Sequence, residues 1–166
     1  STPQFYSLTS QDETGLMTWT PDETTLNNYL GGNPLSIQMW VNANKDVPAS
    51  GERAFLSIKN QVTLYLKNAS EEGRYEIVAK VPGADKKSTG LTVKADVYSN
   101  ITFVSDGKGN YTIFASDGID GEGQTIFNSA SITGSDISWT NGNDINSITL
   151  GANGNASDMF VGNIDD

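Results

Sequence analysis

The residues best equipped for chemistry in this sequence are an indole, a phenol, an amide, a carboxylate and the chain's two guanidinium groups: Trp40, Tyr65, Gln38, Glu76, Arg53 and Arg74. Each falls in a stretch where apolar and polar residues alternate, and each takes the side opposite Ile37, Met39, Leu64 and Ile77. An aromatic ring can stack on the apolar face of a pyranose, while planar polar groups exchange paired hydrogen bonds with vicinal hydroxyls. Two converging arginines would also grip a carboxylate bidentately, as an acidic sugar requires. The competing interpretation is a solvated face, with aromatics packed under a loop and ion pairs worth about 0–1 kcal/mol.

A second group of chemical interest is the loop DGIDGEG, where Asp117, Asp120 and Glu122 could offer oxygen ligands to Ca²⁺. The spacing departs from an EF-hand, and glycines between acids also describe an ordinary exposed turn. Catalysis is not expected. Glycoside hydrolysis needs two opposed carboxylates about 5–10 Å apart, and here the acids sit mostly in turns, leaving Glu76 alone on the candidate face. The chain has no histidine and no cysteine, which removes triad and thiol catalysis, imidazole and thiolate metal sites, and disulfides.

Charge narrows the partners further. Twenty acidic against ten basic residues give a formal net charge of −10, with the lysines scattered, so neither nucleic acid nor an anionic membrane surface is an expected partner. No apolar run approaches the roughly 18 residues of a membrane span, and the first residues show neither region of a signal peptide. The sequons at Asn68, Asn100, Asn110 and Asn155 are short enough to arise by chance.

The elements that must position these groups are strands. The clearest is the hairpin over residues 98–116, where Ile101 and Phe103 alternate with Asn100 and Thr102. Asp106-Gly107-Lys108-Gly109 turns the chain, and Tyr111, Ile113 and Ala115 then alternate with Thr112 and Phe114. A lone hairpin is marginal in water, so more sheet must cover its apolar side. Period-2 segments predict further strands over residues 5–8, 16–19, 35–41, 53–58, 61–67, 74–80, 91–95, 125–127, 137–139, 147–150 and 159–164. One short helix is expected after Thr20, with Pro21 at its first position, Glu23 completing a capping box and Gly31-Gly32 as its stop. The whole, residues 1–166, reads as a single all-β domain: an antiparallel β-sandwich or jelly roll with one short helix.

SDGKGNYTIFASDG and SITLGANGNASDMFVGNIDD resemble the turn-and-strand hairpin and the closing strands of laminin G-like and concanavalin A-like domains. Within that group the chain looks most similar to the lectin modules attached to bacterial sialidases. The resemblance implies a jelly-roll sandwich that holds a larger protein on glycans outside the cell. In those modules a basic residue following the turn after the penultimate strand grips the sialate carboxylate. Here that turn is Gly151-Ala152-Asn153-Gly154, so a sialic-acid ligand rests on Arg53 and Arg74.

The expected function is therefore non-catalytic glycan binding, for attachment to cell-surface carbohydrate or for tethering, at the surface of a cell or particle. The ligand residues are Gln38, Trp40, Arg53, Tyr65, Arg74 and Glu76, with no cofactor beyond an optional Ca²⁺ on Asp117, Asp120 and Glu122. Two other readings stay open: a protein-binding or structural adhesion module, and the attachment head of a virus spike.

Overall fold

The computed structural model describes residues 7–10, 17–19, 30–44, 51–58, 61–139, 148–150 and 162–165. In chain order the strands are β1 (Ser7–Ser10), β2 (Met17–Trp19), β3 (Leu35–Ala43), β4 (Arg53–Ile58), β5 (Val62–Asn68), β6 (Arg74–Lys80) and β7 (Lys87–Lys94). They continue with β8 (Ser99–Ser105), β9 (Asn110–Ile119), β10 (Thr125–Thr133), β11 (Ile148–Leu150) and β12 (Gly162–Asp165). Every pairing is antiparallel. The first sheet has the order β1-β12-β3-β8-β9-β10 and the second β2-β11-β4-β5-β6-β7. Both contribute to one core, so the molecule is the all-β antiparallel sandwich that the alternation predicts.

The core is the apolar half of each alternating strand. Met39, Val41, Ile101, Phe103, Tyr111 and Ile113 come from the first sheet, and Leu56, Ile58, Leu64, Leu66, Ile77 and Val93 from the second. Each fully buried Leu, Ile, Val, Phe or Met side chain is worth about 1.5–3 kcal/mol relative to exposure. Phe103 and Tyr111, diagonal neighbours on the inner side of the β8–β9 hairpin, stack with ring centroids 5.7 Å apart.

Several segments depart from the sequence-based expectation, among them β7, expected over residues 91–95 and beginning at Lys87, and β1, expected over residues 5–8 and running to Ser10. Regular alternation over residues 53–58 would put Phe55 on the same side as Arg53, away from the core, yet it is fully buried in the core. A bulge shifts the β4–β5 register between Ala54 and Leu56, so Phe55 and Leu56 both turn inward and it is Ala54 that stands opposite Tyr65. The strand beginning at Thr125 runs on to Thr133 instead of ending at Phe127. Residues 137–139, expected as a strand, form no ladder; they belong to a strap that crosses from one sheet to the other. The expected helix lies, save for its last residues, outside the described residues; Leu30 is buried in the core.

Backbone contact holds the strap. Gly134 N–H donates to Gly109 O at 2.8 Å, Ser135 N–H to Pro82 O at 2.8 Å, and Ser138 N–H to Gln61 Oε1 at 3.0 Å. Gly109 has φ +86°, and a Cβ there would collide with the Gly134 carbonyl; a Cβ on Gly134 would collide with that of Pro82. Only glycine permits this approach. Ile137 and Trp139 are thereby pressed against the core. The Tyr111 hydroxyl donates to Ser135 O at 2.6 Å, and burial, followed by the charges of Asp136 and Asp106, pushes its phenol up to about 12.

Candidate functional site

The sandwich divides the expected ligand set. Gln38 and Trp40 lie on β3, whose neighbours are β12 and β8, and they face outward from the first sheet. Tyr65, Arg74 and Glu76 lie on β5 and β6 and face outward from the second sheet. Two packed sheets stand about 10 Å apart with the core between them, so these groups cannot meet on one ligand. Arg53 takes neither outer face: it pairs with Leu66, a core residue, and so stands on the core side of its sheet. The two arginines therefore do not converge.

The polar groups of the second sheet are already engaged within the chain, Arg74 reaching across to Asp117 on β9 of the first sheet. Arg74 donates through Nη2 to Asp117 Oδ1 at 2.9 Å and through Nε to Thr92 Oγ1 at 2.9 Å, with its side chain only 12% exposed. Glu76 Oε2 accepts from Ser88 Oγ at 2.6 Å and from Gly90 N–H at 3.1 Å, and Glu76 Oε1 lies 3.9 Å from Lys67 Nζ. Lys86 sits 5.2 Å from the Tyr65 ring centroid while bonding Glu52 at 2.7 Å. Tyr65 stands between Ala54 and Val78, both buried. This face is a lattice of ion pairs and hydrogen bonds over small apolar positions, so the ring of Tyr65 serves packing.

The outer face of the first sheet is different in kind. Its cross-strand rows are Trp40–Asn100–Ser116–Phe127 and Gln38–Thr102–Phe114–Ser129, followed by Ser36–Val104–Thr112–Ser131. None of these residues carries a charge. Trp40 is 40% and Phe127 49% exposed, and they stand in one row three strand spacings or about 14 Å apart, which continues past Trp40 to its ladder partner Asp165 on β12. Between them Asn100 is 2% exposed; its backbone N–H donates to Ser116 Oγ at 2.7 Å and its Oδ1 accepts from Thr102 Oγ1 at 3.0 Å. Asn100 is thus the fixed floor, and its burial also removes that sequon as a surface glycosylation acceptor. Gln38, Thr102, Phe114, Ser116, Phe127 and Ser129 line the reachable surface around it. Phe114 carried a signal in the sequence, an aromatic on the polar side of the hairpin alternation. Phe127 became legible only with the full length of β10.

The acidic loop does not assemble as a cation site. Asp117 is taken by Arg74 and, at 3.4 Å, by Asn128 Nδ2. Asp120 Oδ1 accepts the backbone N–H groups of Glu122 and Gln124, both at 2.9 Å, and closes the turn between β9 and β10. Among the described residues no three carboxylates gather where they could hold a metal ion. Also among the described residues, no helix is long and apolar enough to cross a membrane.

No protein-family model and no curated protein matches the chain. Among solved structures it is similar in fold to HCR/D-Sa-GBL1/C, with 18% identity and a TM-score of 0.52 over 95% of this chain and 36% of that one. It is similar likewise to a tryptophan-to-alanine mutant of HCR/D, with 14% identity and a TM-score of 0.52 over 96% of this chain and 37% of that one. The chain thus spans little more than a third of the length of these structures. The likeness bears on the β-sandwich; the resemblance to sialidase-attached modules finds no counterpart in it.

Proposed function

We propose that the chain is a non-catalytic glycan-binding module acting outside the cell, and that its ligand lies on the outer face of the first sheet. The observation that carries this reading is the uncharged row from Trp40 to Phe127. Two exposed rings, Trp40 inside the sheet and Phe127 on its edge strand, leave apolar surface in water at about 25 cal/mol per Å², which stacking on a sugar would recover. Gln38, Thr102, Ser116 and Ser129 supply the hydroxyl and amide partners that orient a polyol. A face without a cation favours a neutral oligosaccharide over a sialylated one, since Arg74 is held by Asp117 and Arg53 lies on the core side. The likeness to HCR/D supports only the scaffold.

A glycan array probed with the purified chain tests this. Binding confined to neutral glycans, unchanged by EDTA, is the expected result. Binding confined to sialylated glycans, or none at all with and without Ca²⁺, would overturn it, the second outcome favouring a protein partner.

A further inference from the structure

We propose that two copies of this chain pair through β10, antiparallel about Ser129, so that the first sheet continues from one copy into the other. β10 is the last strand of its sheet, and among the described residues its one ladder partner is β9. Its outer row of N–H and C=O groups is a template for another strand.

The sequence TIFNSASIT has neither charge nor proline, the usual protections of an edge. The corresponding edge of the second sheet, β7, carries Lys87 and Lys94 and a register shift opposite β6. The irregularity next to β10 is different: between the pairs Thr125–Ile119 and Phe127–Ser116, the extra residue belongs to β9, where Gly118 has φ +80°. β10 itself therefore stays regular, and all but two of its residues are exposed.

The residue order selects a second copy as the occupant. Antiparallel pairing centred on Ser129 sets Thr125 against Thr133 of the other copy, Ile126 against Ile132, Phe127 against Ser131 and Asn128 against Ala130. Like meets like at both ends, and no charge opposes another along the strand. Such a contact is isologous and closes as a dimer. Its two-fold axis is perpendicular to the sheet, so both Trp40 faces would point the same way. That last consequence rests on the glycan reading; the pairing does not.

Sedimentation equilibrium and cysteine cross-linking test the pairing with no sugar present, so its failure is distinct from failure of the glycan reading. The chain has no cysteine, and Ser129→Cys introduces one. The register places the two thiol-bearing residues about 5 Å apart between Cα atoms, within the reach of a disulfide. Ser131→Cys places them roughly 14 Å apart. The expected results are a mass rising toward dimer with concentration, disulfide-linked dimer from Ser129→Cys alone under mild oxidation, and a monomer with unchanged melting temperature from Ser129→Lys. A wild-type chain that stays monomeric at millimolar concentration, or equal cross-linking of the two cysteine variants, would overturn the proposal.

Discussion

The two outer faces of this sandwich are built on the same alternation and put to opposite uses. On the second sheet, polar groups meet their complements within the chain: Arg74 with Asp117, Glu76 with Ser88 and Gly90, Lys86 with Glu52. On the first, Trp40 and Phe127 stand exposed in one row, with the uncharged Asn100 and Ser116 between them. Chemically attractive residues are therefore a poor guide by themselves. An arginine already saturated by a neighbour offers less to a ligand than a glutamine or threonine beside an open ring.

The largest effect expected separates the outer faces from the core. Phe55→Ala should lower unfolding free energy by about 3–5 kcal/mol, measured by denaturant melts; a loss below about 1 kcal/mol would return Phe55 to the surface and undo the bulge. Next, Trp40→Ala should weaken glycan binding at least tenfold, about 1.4 kcal/mol by calorimetry, while stability changes by less than about 1 kcal/mol. Tyr65→Ala should show the converse, costing about 1–2 kcal/mol of stability with affinity unchanged. If the two variants exchange these phenotypes, the ligand sits on the other sheet.

Smaller effects sharpen the contrast. Arg74→Ala leaves Asp117 without its guanidinium partner and should cost about 1 kcal/mol, reduced by Asp117's solvent contact, with glycan affinity unmoved. Tyr111 provides a reference that touches neither face. Because its folded phenol is raised from the ordinary 10 to about 12, the fold favours the protonated form. That stabilisation is complete below about pH 10 and fades as pH rises toward 12. Thermal melts of wild type should fall across that window more steeply than those of Tyr111→Phe. Smallest of all, Glu52→Gln should shift stability by a few tenths of a kcal/mol, the ordinary worth of an exposed ion pair.

Much of the fold was legible in the sequence because alternation is a local signal. β4 and β6 have the bounds expected of them, and the β8–β9 hairpin turns at Asp106–Asn110 as its glycines require. Alternation assigns a residue to one side of its own strand and says nothing about which strand lies beside it. That Trp40 neighbours Asn100, sixty positions later, and not Tyr65, is a non-local pairing. For this reason the six residues expected on one face are divided between the two sheets. The bulge at Phe55 was hidden on different grounds: RAFLSI reads as regular alternation, and only pairing with β5 reveals the extra residue. The strap was missed because Ile137 and Trp139 have a strand's spacing while their neighbour's N–H bonds a side chain, Gln61.

The strap has a consequence for where this molecule can work. Many extracellular domains fasten their ends with covalent sulfur bridges that a reducing milieu can cut. Here Gly109, Gly134 and Pro82 achieve the fastening by main-chain contact alone, with Tyr111 as its bolt. The seam is therefore indifferent to redox potential, and the same closed end would assemble unchanged in a cytosol, in a periplasm or in the open medium.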